Sequence, residues 1–246
     1  MTPPIPAHFE QSYQRLQNCL KLAGMQPKTI ALYSHGVRRA GAYFDYRIDD
    51  LTRSQLTDYF VFIIDALSWS TLKHDLYGLK FYYAKVLDKP WPGADLVKPP
   101  KSFTLPDILT VLQAQQIFKA TRVLSYRVFF FTLYSLGLRL GEGLRLQVGD
   151  IDADRMRVQV RGAKGNRDRF VPLPDNTLQV LRRFWQSHRH PALLFPNRKC
   201  GPNRAHLASS PLDRGGVQAT LRQVARDCGL KKELRHTACA TAMPPI

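Results

Sequence analysis

The sequence predicts a mainly α-helical chain of two domains, the second carrying a small antiparallel β-sheet. Three observations predict it. Apolar residues recur at helical spacing through 8–87, prolines cluster just after that stretch, and two alternating segments flank a glycine-bearing turn further on. Hydrophobic residues make up 44% of the 246 positions. That is enough apolar surface for two modest cores, and it excludes a disordered tail protein.

The elements follow in order. Tyr13, Leu16, Leu20 and Ala23 keep helical spacing and stop at Gly24, and Ile30, Tyr33, Val37 and Ala40 repeat the pattern. Thr52 to Leu67 opens Thr-Arg-Ser-Gln, so Thr52 can cap the helix with Gln55 three residues on. Ser70 to Leu87 is the fourth helix, completing a helical first domain over 8–87. Pro90, Pro92, Pro99 and Pro100 deny hydrogen bonds to helix and sheet alike, which makes 88–104 a linker. In the second domain, 105–246, Ala114 to Ala120, Tyr126 to Leu136 and Gly141 to Leu146 read as helices, and Val148 to Asp152 as a turn. Met156 to Arg161 alternates as a strand, with Arg169 to Leu173 as its mate across the turn. Leu178 to His188 and Val217 to Cys228 are helical again.

Charge narrows the partner. Thirty-six Lys and Arg against 19 Asp and Glu leave +17, and 105–246 carries most of the excess. A polyanion is the expected partner. No apolar run is long enough for a membrane span, because Arg127 and Arg139 close the stretch from Val128 to Leu138. The N-terminus lacks a signal-peptide pattern, and Cys19, Cys200, Cys228 and Cys239 share no metal-type spacing. The expectation is a cytoplasmic protein with no metal, no disulfide and no membrane partner.

Chemistry concentrates in Leu133-Tyr-Ser-Leu-Gly-Leu-Arg-Leu-Gly-Glu-Gly-Leu-Arg-Leu-Gln-Val-Gly-Asp-Ile-Asp152. Arg139 follows an apolar helix and Gly137, with Glu142 three residues on. An arginine held at such a place offers a fixed fork to two phosphate oxygens; it can equally serve a structural Arg139–Glu142 ion pair. This stretch resembles the first arginine box of the tyrosine recombinases, the phage integrase family. Arg161-Gly-Ala-Lys-Gly-Asn-Arg-Asp-Arg-Phe-Val-Pro-Leu173 resembles the family's β-hairpin, with Lys164 at the catalytic lysine position. The helical first domain and the proline-rich segment are similar to the family's core-binding domain and interdomain strand, so the resemblance runs to about Lys232.

The resemblance implies a protein that grips double-stranded DNA, assembles with intact recombinase subunits, and cuts and rejoins strands through a 3′-phosphotyrosine without metal or other cofactor. Arg139 would hold non-bridging oxygens of the scissile phosphate, and Lys164 would protonate the leaving 5′-oxygen. Yet all ten tyrosines lie at or before Tyr134, whereas the family's nucleophile follows its second arginine. The second arginine motif has only an echo in Lys232-Glu-Leu-Arg235-His236. A permitted back-translation of 233–246, read in another frame, yields Ile-Thr-Pro-His-Ser-Leu-Arg-His-Ser-His-Ala-Thr-His, which is what the family would place there. This predicts a frameshift near Lys232 or Glu233 and a catalytic domain incomplete at its C-terminus. The expected protein therefore binds DNA without cleaving it. The alternatives are an active recombinase borrowing a tyrosine in trans, and a decayed product without a stable fold.

Other candidates carry less. His188-Arg-His190 reads as an exposed helix end rather than a metal pair, and Phe129-Phe-Phe131 as core. Arg145, Arg155, Arg157, Arg167 and Arg169 are expected to include phosphate contacts, in no order the sequence can rank. Lys28, Thr29, Arg38 and Arg39 either face DNA or form a solvated face.

Overall fold

A computed structural model describes residues 5–93, 96–98, 109–162, 167–199 and 201–230. The chain divides into two compact units, Met1–Ser102 and Phe103–Ile246.

The first unit contains α1 (Ala7–Leu22), α2 (Pro27–Tyr43), α3 (Arg53–Ala66) and α4 (Trp69–Tyr82), the last running into a π-helical turn at Tyr83–Leu87. Gly24, at φ +68°, ends α1 as a left-handed residue: its N–H bonds Lys21 O and that of Met25 bonds Leu20 O. The Thr52 cap is present, with Gln55 N–H donating to Thr52 Oγ1 and Thr52 N–H to Gln55 Oε1. The helices α2 and α4 pack closely because glycines line their contact. A Cβ on Gly36 would lie 2.7 Å from Asp75 Oδ1, and one on Gly78 would lie 2.6 Å from Tyr33 O. Asp75 itself is fully buried, accepting from Tyr59 Oη at 2.7 Å and from Arg39 Nη1 at 3.2 Å. Burial pushes its carboxyl up to about 6, against the Tyr59 hydrogen bond and the Arg39 charge. Trp91, Leu96 and Val97, from the segment expected to be the linker, pack against this core.

The second unit opens with α5 (Val111–Ala120), α6 (Leu124–Ser135) and α7 (Leu140–Arg145), followed by a 3₁₀ turn at Val148–Asp150. Three antiparallel strands come next in the order β1 (Ile151–Asp152), β2 (Arg157–Val160) and β3 (Arg169–Pro172). The expected turn at Val148 to Asp152 thus ends in a short strand: Ile151 pairs with Val158 and Asp152 with Arg157. The helix α8 (Asp175–His188), a 3₁₀ turn at Pro202–Leu207 and α9 (Arg214–Asp227) complete the unit. Strand β2 turns Val158 and Val160 inward and leaves Arg157 and Gln159 outside. Phe129 and Phe130 are buried with Phe195, as expected of core aromatics, while Phe131 is only half-buried, its ring against that of Phe118.

One expectation is overturned here. His188 and His190 are buried, not an exposed helix end. His190 Nδ1 accepts the N–H groups of Ala192 and Leu193, and its Nε2 lies 2.9 Å from Ala208 O. A chain reversal after α8 leaves these backbone groups without helical partners, and the imidazole meets them. Among the described residues no helix is long and apolar enough to cross a membrane.

Candidate functional site

The site is built where α6 ends. Gly137, at φ +59°, repeats the left-handed helix stop seen at Gly24: Leu138 N–H bonds Leu133 O, and Gly137 N–H bonds Tyr134 O. Leu138 is thereby driven into the core, and the next residue, Arg139, emerges as the N-cap of α7. A glycine is needed because a side chain at that φ is strained.

Arg139 does not stand free. Its backbone N–H donates to Glu142 Oε2 at 2.8 Å and its Nη1 to Glu142 Oε1 at 2.9 Å. From β3, Arg169 grips the same carboxylate with both nitrogens, Nη1 to Oε1 at 2.8 Å and Nη2 to Oε2 at 2.9 Å. The Glu142 side chain is 3% exposed while that of Arg139 is 51% exposed. Burial raises the Glu142 carboxyl, but the hydrogen bonds from Arg169 and from Arg139 outweigh it and hold the group down at about 2. Glu142 is therefore an ionised anchor. It orients Arg139 through two bonds and leaves the rest of that guanidinium facing water.

A second buried carboxylate fixes the other foot of the hairpin. Asp150 accepts Gln147 N–H at 2.8 Å and lies 2.6 Å from Arg161 Nη2. The two strands flanking 163–166 are thus tied by Arg161 and Arg169 to acidic groups around α7. Lys164 lies outside the described residues, as do Lys232, Glu233, Arg235 and His236. Among the described residues no three His, Cys, Asp or Glu side chains gather as a metal site requires.

The structure sorts the arginines that the sequence could not rank. Arg155 and Arg157 reach Asp152, and Arg157 also stacks 4.2 Å above the Phe170 ring. Arg169 serves Glu142. Arg145 Nη2 donates to a backbone carbonyl, that of Gly162, and among the described residues Arg145 meets no carboxylate. In the first unit Arg39 is committed to Asp75, and Arg38 lies over the Tyr13 ring. The Arg169 anchor has a signal in the sequence. Arg169 shares a strand face with Val171, and an arginine on the half-buried face of a strand needs a carboxylate. The position of Arg214 beside α7 had none, since it depends on α9 packing there.

The profile of the phage integrase family matches residues 107–243, and that of the phage integrase N-terminal SAM-like domain matches 13–93. The chain belongs to the phage integrase family. Among its relatives, this integrase-family chain is 31% identical over 179 residues to tyrosine recombinase XerA of Thermococcus kodakarensis, covering 71% of the chain and 61% of that protein. With tyrosine recombinase XerC of Lactobacillus delbrueckii subsp. bulgaricus it shares 26% over 237 residues, covering 88% and 79%. It spans 62% and 61% of the lengths of two integrase/recombinase relatives from Sinorhizobium fredii, y4qK and y4eF. In fold it is similar to a lambda integrase(75-356) dimer bound to a COC′ core site, with a TM-score of 0.72 at 16% identity, covering 94% of this chain and 86% of that one. The Tn1549 transposon integrase in complex with transposon right end DNA gives 0.67 at 15% identity, covering 94% and 84%.

Proposed function

We propose that this chain binds double-stranded DNA as a tyrosine recombinase of the integrase class, with residues 8–87 as a core-binding domain, 88–104 as linker and 105–246 as the catalytic domain. Arg139 holds non-bridging oxygens of one backbone phosphate, and Lys164, at the family's lysine position, stands ready to protonate the leaving 5′-oxygen. The observation that carries this reading is the Arg169–Glu142–Arg139 arrangement. A guanidinium tethered on one side and open to water on the other is preorganised to receive an anion, at little reorganisation cost when charge develops on the phosphate. The +17 net charge supplies the long-range attraction.

Tested by itself, the 246-residue chain binds without cutting. The ten tyrosines end at Tyr134, so none of residues 140–246 is a tyrosine that could attack the phosphorus. The experiment is duplex binding across a salt series, together with incubation on nicked suicide substrates. Affinity should fall steeply with salt, and no covalent protein–DNA adduct should form. Salt-insensitive or undetectable binding refutes the DNA-binding reading; a trapped adduct refutes the non-cleaving one.

A further inference from the structure

A second cationic pair in the same unit has no assigned role. A Cβ placed on Gly141 of α7 would lie 3.0 Å from Arg214 Nη2 and 3.5 Å from Arg145 Nη1, so the two guanidinium groups are no further apart than the sum of those contacts. They come from different elements, Arg145 from the last position of α7 and Arg214 from the first of α9, and both are exposed. Arg145 is braced from a third side by its bond to Gly162 O, where β2 leads into the hairpin turn. Arg139, Arg155, Arg157, Arg161 and Arg169 each meet a carboxylate, whereas among the described residues neither Arg145 nor Arg214 does.

Like charges this close repel, and an anion between them relieves the repulsion. Both guanidinium groups lie close to Gly141, where a Cβ would touch Arg214 Nη2 before Arg145 Nη1. We infer that Arg145 and Arg214, converging over Gly141, form a second phosphate subsite that shares no residue with the Arg139–Glu142–Arg169 cluster and takes a further backbone phosphate of the bound duplex. Two forks from two elements suit the tetrahedral oxygens of one phosphate. Such a contact sets the register of protein on duplex without reading sequence. This inference rests on the DNA-binding reading above.

The test uses the full chain and a random-sequence duplex, with Kd measured across a salt series for wild type, Arg145→Ala, Arg214→Ala and the double variant. Arg222→Ala, at an exposed arginine further along α9 whose Nε donates to Gln218 O of the same helix, serves as the charge control. Both sites are exposed, so thermal unfolding should be unchanged in every variant. Each single variant is expected to weaken binding roughly tenfold at moderate salt, the scale of a lost charge-assisted contact. Because both forks hold one phosphate, the double variant should lose less than the product of the two single losses, and its salt slope should fall by about 0.9, one phosphate's worth. The subsite is overturned if both single variants bind as wild type does, if Arg222→Ala weakens binding equally, or if the losses multiply and the slope falls by about twice that amount. Failure of the wild type to bind duplex would instead refute the DNA-binding reading, so the two failures are distinguishable.

Discussion

Replacing Glu142 by Gln removes the charge that Arg139 and Arg169 share while keeping the size of the side chain, and its cost can be worked from the geometry. The carboxyl falls from an ordinary 4.5 to about 2 in the fold. At about 1.4 kcal/mol for each tenfold change in proton affinity, that depression amounts to roughly 3 kcal/mol. Water on the exposed side of Arg139 screens part of it, leaving roughly 2 kcal/mol for the second unit at neutral pH. Because the folded value is depressed, this stability is fully present above the unfolded value of 4.5 and is lost as pH falls through about 2. By the same linkage, less than half of the difference between wild type and Glu142→Gln should remain at about pH 3. The assay is urea unfolding read by peroxide oxidation of single methionines. Met156 packs against the second core and Met25 against the first, so Met25 is an internal control in the same tube. An unchanged Met156 midpoint at pH 7 would refute the argument, as would a loss that persists undiminished at pH 3.

The first unit should respond to acid with the opposite sign. Asp75 has its folded value raised to about 6, so its charged form penalises the fold above that pH; the first unit should gain up to about 3 kcal/mol as pH falls from 7 towards 4, read at Met25, and Asp75→Asn should flatten the profile. Gly36→Ala should cost the first unit about 1–3 kcal/mol by overpacking, since the new Cβ would lie 2.8 Å from the Asp75 Cα; an unchanged Met25 midpoint would contradict that contact. Arg169→Lys keeps the charge but loses the fork, and should destabilise the second unit by about 1 kcal/mol at Met156; full retention would show that the bidentate geometry is idle. Sequencing the gene across codons 232–246 tests the frameshift: codons that cannot yield the family's second arginine box in the alternate frame would end that explanation of the tail.

Much of the fold was legible because its signals are local. Helical spacing around Leu16 and Leu20, the Thr52–Gln55 cap and the glycine stops at Gly24 and Gly137 involve residues within a turn or two of one another, and each produced the expected element. The short strand β1 is not legible in the sequence because two residues carry no period, and they become a strand only by pairing with Val158 and Arg157. The burial of His188 and His190 is not legible either, because it depends on what packs over the end of α8.

The site divides along the same line. The sequence by itself determined that Arg139 follows a helix stop with Glu142 one turn on, that basic charge gathers in the second half, and that the order of motifs is that of the integrase family. Only the tertiary structure decided which arginines meet a carboxylate. Glu142 is shared with Arg169, 27 positions away, while Arg145 and Arg214 both approach Gly141 and, among the described residues, neither meets a carboxylate. The physical reason is that a guanidinium's role depends on the nearest carboxylate in space, and packing brings that carboxylate from strands and helices whose separation along the chain carries no period.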